Sequence, residues 1–279
     1  MRRIMTQEKL QKFEAYLKDE ERSAATVEKY MRDVRFFASF VGEAEIVKGT
    51  VLDYKSRLAE SYAVASANSM IAAINVFFRF CEWHDLCVKQ FKMQRIVYST
   101  EEKELTRVEY FRLIEAAKAK RNERLNLIIQ TICATGIRVS ELQYITAEAV
   151  LRGEATVRCK GKNRKIFIVP DLKKKLLRYV KEQKIMEGAV FVTRGGKPVS
   201  RNTVWKEMKA LCEEAGVMPS KVFPHNLRHL FARTFYGIEK DIAKLADILG
   251  HASINTTRIY IVTTGAEHKR KMEHMRLIM

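Results

Sequence analysis

A chain of 279 residues that is 47% hydrophobic and has no low-complexity tract is long enough for two packed domains, which excludes disorder. Its net charge of +18 is unevenly spread, with 16 Lys/Arg against 13 Asp/Glu over residues 1–100 and 35 against 20 over residues 101–279. The excess in the second part points to a polyanion, of which nucleic acid is the usual one, although charge alone leaves a merely solubilising surface open.

Residues 6–20 read as a helix with Thr6 as N-cap and Leu10, Phe13 and Leu17 on one face. From Ser23 to Phe40, the residues Val27, Tyr30, Met31, Val34, Phe37 and Val41 recur at three- and four-residue steps, and Gly42 is a natural stop. Thr50-Val51-Leu52-Asp53 has the form of a capping box opening a third, shorter helix. A fourth, from about Ala65 to Trp83, places Met70, Ile71, Ile74, Phe77, Phe78 and Cys81 on one side. Four amphipathic helices without a strand signal predict an all-α domain over residues 1–95 whose aromatic stripes are core. Residues 90–104 break the periodicity and end in a charged run, and 96–104 predict a linker.

The second domain, residues 105–279, opens on another capping box, Thr106-Arg107-Val108-Glu109. Leu125 to Ala134 is nearly continuous in apolar residues and predicts a buried helix, with a turn at Thr135-Gly136 and helical character again over 137–142. An arginine here, Arg138, is expensive unless it points into a functional site or a buried ion pair. Glu141, three residues on, is its internal partner. Residues 156–159 and 166–169 are β-prone and flank the basic turn Lys160-Gly161-Lys162-Asn163-Arg164-Lys165. They predict a β-hairpin with five cations around a tip suited to phosphate. Residues 173–182 follow as a basic amphipathic helix with Leu176, Leu177 and Val180 inward, and 189–193 as a short strand. Ser200 caps a helix through Trp205, Met208 and Leu211, whose first turn carries Arg201 and Asn202, side chains suited to base edges or phosphates. A helix then runs from residue 224 to about Phe235. The next presents Ile242, Leu245, Ile248 and Leu249 and ends at Gly250; Ser253 caps a short one leading to Tyr260. The tail, 265–279, reads as a basic and partly apolar helix without a partner in the chain. The expected fold class is mainly α with a small antiparallel β-sheet.

His225, Arg228 and His229 share one segment flanked by Phe223, Leu230 and Phe231, which read as core. Burying such groups is costly unless something pairs with them. A metal at His225 and His229 fails for want of a carboxylate in register and of cysteine pairs. The five cysteines are odd in number and lack a CxxC pair, as reduced thiols in a cytoplasmic protein do. No signal peptide and no run of about 18 apolar residues is present, so no membrane association is expected. Taken together, Arg138, Lys162, His225, Arg228, His251 and Tyr260 make chemical sense as a phosphoryl-transfer site. Two arginines clamp the nonbridging oxygens of a phosphodiester, and a lysine on a basic hairpin protonates the leaving oxygen. A tyrosine, with a pKa near ~10, needs a base and positive charge to attack, and His225 can supply the base. Cationic side chains doing this work need no metal or other cofactor, and there is no Walker-type loop.

The segments 134–142, His225-Asn226-Leu227-Arg228-His229, Leu249-Gly250-His251 and Tyr260 resemble the signature boxes of the tyrosine recombinases, the phage-integrase family, in its compact members. The resemblance implies a two-domain C-clamp, with residues 1–95 as the SAM-like core-binding domain and 105–279 as the catalytic domain. It implies that Tyr260 attacks the scissile phosphate, forms a 3′-phosphotyrosyl link and releases a 5′-hydroxyl. Arg138 and Arg228 would stabilise the transition state, His225 accept the proton, His251 hydrogen-bond the phosphate and Glu141 orient Arg138. Lys162 would be the general acid, with Lys160 as the alternative register; Lys160, Lys165, Arg201 and Asn202 are further DNA-binding candidates. The partners implied are double-stranded DNA sites, a homotetramer on synapsed DNA, a monomer or weak dimer when free, and an accessory directionality factor. No ATP is required. The role expected is a mobile-element integrase, with a Xer-type resolvase as the alternative, and the larger integrases' arm-binding domain is not expected.

Overall fold

The computed structural model describes residues 2–93, 103–159, 162–261, 269 and 272–275, without the side chains of residues 158, 159 and 162. The chain divides into two compact units, Met1–Arg95 and Ile96–Met279.

In the first unit, α1 (Gln7–Asp19) is capped by the Thr6 hydroxyl, which accepts the Lys9 amide at 3.2 Å. α2 (Ala24–Val41) is capped by Ser23 and stopped by Gly42 at φ +60°. The third helix, α3 (Lys48–Ser61), departs from expectation. It starts before Thr50, with Val47 at the N-cap and no side-chain cap, so the Thr50–Asp53 box lies inside it. Tertiary bonds anchor this start instead, because the Lys48 ammonium donates to the Asp85 and Cys87 carbonyls at 2.7 and 2.6 Å. α4 (Val64–Phe80) completes the bundle, whose core stacks edge-to-face aromatics such as Phe13 on Phe77 and Phe37 on Tyr54 and Phe78.

In the second unit, α5 (Arg107–Ala119) carries the complete Thr106–Glu109 capping box. α6 (Glu123–Thr135) is the buried helix at the centre, packed by α5, by α8 (Pro170–Glu182), by α9 (Arg201–Lys209) and by α11 (Pro224–Glu239). The stretch after Gly136 is a 3-10 helix, Val139–Tyr144, followed by α7 (Ala147–Arg152). β1 (Glu154–Cys159) and β2 (Lys162–Phe167) pair antiparallel from Glu154↔Phe167 to Cys159↔Lys162. The expected tip is therefore mostly strand: cross-strand pairing draws residues 162–165 into β2, and only 160 and 161 lie between the paired ends.

α8 begins at Pro170 rather than residue 173, because proline's fixed φ suits the first helical position. Its buried face is Leu172, Leu176 and Tyr179, with Leu177 and Val180 only half-buried. Residues 189–193 make isolated bridges, Thr146↔Ala189 and Val192↔Pro198, instead of a strand. Ser200 caps α9, on which Val204 and Met208 face the core and Trp205 is exposed. α10 (Cys212–Ala215) precedes α11, and α12 (Ile242–Leu249) and α13 (Ile254–Arg258) close the described fold. Of the tail, Lys269 and residues 272–274 have helical backbone and Met275 lies in a turn; the rest of 265–279, like linker residues 96–102, lies outside the described residues.

Candidate active site

Two left-handed turns shape the site. Gly136 ends α6 at φ +65°, and a β-carbon there would lie 2.4 Å from the Phe231 ring. Gly250 ends α12 at the same φ, and a β-carbon there would lie 2.6 Å from the Arg164 side chain. Arg138 follows the first turn. The Glu141 carboxylate accepts both its backbone amide at 2.8 Å and its guanidinium at 2.9 Å, which leaves the Arg138 side chain 39% exposed while Glu141 is 6% exposed.

Arg228 is fully buried on α11. Its guanidinium donates to the carbonyls of Gly136 and, at 2.7 Å, of Leu249, and it meets His251 Nε2 at 3.0 Å. Its Nε finds no partner among the described residues. Burial, with Arg138 nearby, pushes its pKa down to about 10, so it remains a cation at neutral pH. Asn226, two residues earlier, fixes the start of α11 by donating to the carbonyls of Lys103 and Lys221, both at 2.8 Å.

Tyr260 reaches this cluster from the turn after α13. Its hydroxyl is 3.3 Å from His225 Nε2, its ring lies 5.9 Å from the Arg228 guanidinium, and His229 stacks on it at 4.3 Å and 27°. The His251 ring is 5.1 Å away and is held through Nδ1 by the buried Thr257 hydroxyl at 2.9 Å. Burial, then Arg228 and Arg138, lowers the His251 pKa to about 4. Burial and His225 take His229 to about 4. His225 keeps an exposed edge, yet desolvation and then Arg228, Arg138 and Arg201 lower its pKa too. The three imidazoles around the tyrosine are thus neutral bases near neutral pH.

Arg138, Glu141, His225, Arg228, His251 and Tyr260 are brought together. Lys162 occupies the first position of β2, two residues before Arg164, and Lys160 lies outside the described residues. Lys165 is 62% exposed and pairs with Glu154 at 2.9 Å, away from the cluster. Arg201 and Asn202 are exposed in the first turn of α9, and the Arg201 charge is felt at His225. No group of three or more His, Cys, Asp or Glu among the described residues is placed to hold a metal, and no described helix is long and apolar enough to cross a membrane.

A buried tyrosine hydroxyl beside a neutral imidazole, with the Arg228 cation against its ring and the Arg138 charge felt at the surrounding histidines, is a site for nucleophilic attack on phosphate. Residues 103–266 match the phage integrase family, and residues 10–85 match the phage integrase N-terminal SAM-like domain. The chain belongs to the phage integrase family. It is a tyrosine recombinase, an enzyme of DNA cleavage and rejoining. Tyrosine recombinase XerA of Pyrococcus furiosus is 30% identical over 285 aligned positions, covering 99% of this chain and 96% of the relative. A crystal structure of XerA recombinase superposes with TM-score 0.55 at 27% identity, covering 99% of this chain and all of that one. A lambda integrase tetramer bound to a Holliday junction shares the fold, with TM-score 0.72 at 19% identity over 91% of this chain and 76% of that one.

Three residues of this recombinase's site were not assigned there from the sequence. Thr257 carries no signal until His251 is seen against it. His229, weighed in the sequence as a metal ligand and rejected, is the ring on which Tyr260 stacks. Arg164, read as one of the hairpin's phosphate-facing cations, turns inward onto Glu141 and the Ile248 carbonyl. Its only sequence signal is its place two residues beyond Lys162.

Proposed function

We propose that Tyr260 is the nucleophile that cuts double-stranded DNA at a specific site. The observation that carries this is the Tyr260 hydroxyl lying 3.3 Å from the neutral His225 imidazole, with the buried Arg228 cation alongside. His225 takes the phenolic proton as the Tyr260 oxygen bonds to phosphorus, and the bond to the 5′ oxygen breaks. Arg138, held by Glu141 and partly exposed, and Arg228 stabilise the charge on the nonbridging oxygens, and His251, in the tautomer that carries its proton on Nε2, hydrogen-bonds the phosphate. Lys162, with Lys160 as the alternative, protonates the departing 5′ oxygen, which leaves as a hydroxyl. The link keeps the energy of the broken bond, so rejoining to a second strand reverses the step without ATP. Residues 1–95 act as the core-binding domain and 105–279 as the catalytic domain, with Arg201, Asn202, Lys160 and Lys165 as DNA contacts.

On synapsed sites four protomers act together, as the lambda integrase tetramer's shared fold supports, with the tail 265–279 docking on a neighbour. The free protein is a monomer or weak dimer in the cytoplasm, and an accessory factor sets direction. The role proposed is integration and excision of a mobile element. A Xer-type resolvase is the second reading, favoured by the end-to-end match to XerA.

A pool of nicked duplexes of random sequence tests this. A cut beside the nick lets the short strand diffuse away and traps the covalent complex, and sequencing the trapped DNA recovers the site. Two copies of that site on one plasmid should then exchange strands without ATP. Relaxation of a one-site plasmid with no exchange between two sites would contradict recombination and indicate a topoisomerase. Deletion between direct repeats with no integration into a dissimilar partner site would favour the resolvase.

A further inference from the structure

We propose that Arg164 is a positioning residue of the cleavage site, setting Arg138 through Glu141 and His251 through the end of α12. This rests on the proposed roles of Arg138 and His251 toward phosphate.

The Glu141 carboxylate is the hub. One oxygen accepts the Arg138 guanidinium at 2.9 Å; the other accepts the Arg138 amide at 2.8 Å and the Arg164 guanidinium. A buried carboxylate between two guanidiniums is held from both sides, and removing either partner frees it to turn. The second arm of Arg164 donates to the Ile248 carbonyl at 2.5 Å, at the C-terminal end of α12, where a cation is favoured. The contact continues along the chain, since the Gly250 backbone lies against the Arg164 stem so closely that a β-carbon would meet it at 2.6 Å. His251 is the next residue, and Arg228 donates to the Leu249 carbonyl within the same turn. One side chain on β2 therefore fixes the 3-10 turn that carries Arg138 and the turn that carries His251, segments more than a hundred residues apart in sequence.

The competing role is the one the sequence suggests, a cation of the hairpin meeting DNA phosphate. Its burial speaks against that. The Arg164 side chain is 13% exposed, whereas Lys165 beside it is 62% exposed. The positive charge acts inward as well, since after burial, Arg228 and Arg138, Arg164 contributes to keeping His251 neutral.

The test uses the full-length protein and the DNA site recovered by covalent trapping. Single-turnover cleavage of the nicked site at saturating protein is measured for wild type, Arg164→Ala, Arg164→Lys, Glu141→Gln and the Arg164→Ala/Glu141→Gln pair. DNA affinity at several salt concentrations and thermal melting are measured alongside. Arg164→Ala should cleave about 100-fold more slowly, because a misplacement on the order of 1 Å has that effect on a reacting constellation. Its DNA affinity and salt slope should match wild type. Arg164→Lys, which reaches one acceptor but not both, should fall about tenfold and keep the wild-type melt, so it decides the matter if the alanine variant fails to fold. The double variant should lose less than the product of the two single losses, since the Arg164–Glu141 link is shared by both while the α12 arm belongs to Arg164 alone. Wild-type cleavage by Arg164→Lys, or independent, multiplying losses in the double variant, would overturn the proposal. So would weakened DNA binding with a salt slope reduced by about one at an unchanged cleavage rate, which marks a phosphate contact. If wild-type protein forms no adduct, the proposed nucleophile fails, and this inference with it.

Discussion

Tyr260 is packed among three imidazoles whose pKa values are all depressed, and its hydroxyl faces the one that keeps an exposed edge. Neutral His225 is the form that accepts a proton, and its pKa lies below the ordinary 6.5. Cleavage should therefore stay level as pH falls through 6.5 and drop only below it, in a pH profile of the single-turnover rate. A midpoint above 6.5 would argue against His225 as the base. Stability carries a related signature. His229 and His251 titrate near 6.5 when unfolded and near about 4 when folded. Between those values the unfolded chain binds more protons, so stability is full above 6.5 and is lost as pH falls toward 4. His229→Phe keeps a ring against Tyr260 and removes one of the two groups. Its melting temperature should depend less on pH across that window than that of wild type, and an unchanged dependence would contradict the burial effect.

At the scale of elements, the glycine turns do the positioning. Gly136→Ala forces a left-handed alanine, costing about 1–2 kcal/mol, and drives a β-carbon into the Phe231 ring. Because Arg228 bonds the Gly136 carbonyl, urea unfolding should show the loss of stability and the cleavage rate should fall with it. Thr106→Ala, which removes the hydroxyl of the α5 capping box, should lower stability by about 1 kcal/mol while cleavage is unchanged. That box was legible because all its atoms lie within four residues. The Thr50 box misled for the opposite reason: bonds from Lys48 to Asp85 and Cys87 decide where α3 begins, and no local pattern carries them. The hairpin shows the same limit. Its two β-prone runs were readable, but its register depends on cross-strand pairs, so residues 162–165 read as tip when they are strand. The polar residues of the candidate site were legible as chemistry out of place in apolar surroundings. Arg164 was not, because its partners Glu141 and Ile248 are far away in sequence.

For the whole molecule, most of the net charge of +18 belongs to residues 101–279, the part that holds the cluster. DNA affinity should fall linearly with salt on logarithmic axes. A footprint neutralising six phosphates loses about 10³-fold between 50 and 200 mM salt. A flat salt response would mean that the excess serves solubility. Removing residues 265–279 should leave binding to a single site intact and abolish tetramers on paired sites in sedimentation, whereas normal tetramers would refute the proposed docking of the tail.

The central claim is that Tyr260 bonds to DNA, and one measurement tests it most directly. The trapped covalent complex is digested with trypsin and nuclease, and the peptide carrying the nucleotide remnant is identified by mass. The modified peptide should span residues 259–269, with the phosphate on Tyr260, and Tyr260→Phe should bind the same DNA without forming an adduct. A phosphate on another residue, or an adduct from Tyr260→Phe, would contradict the account.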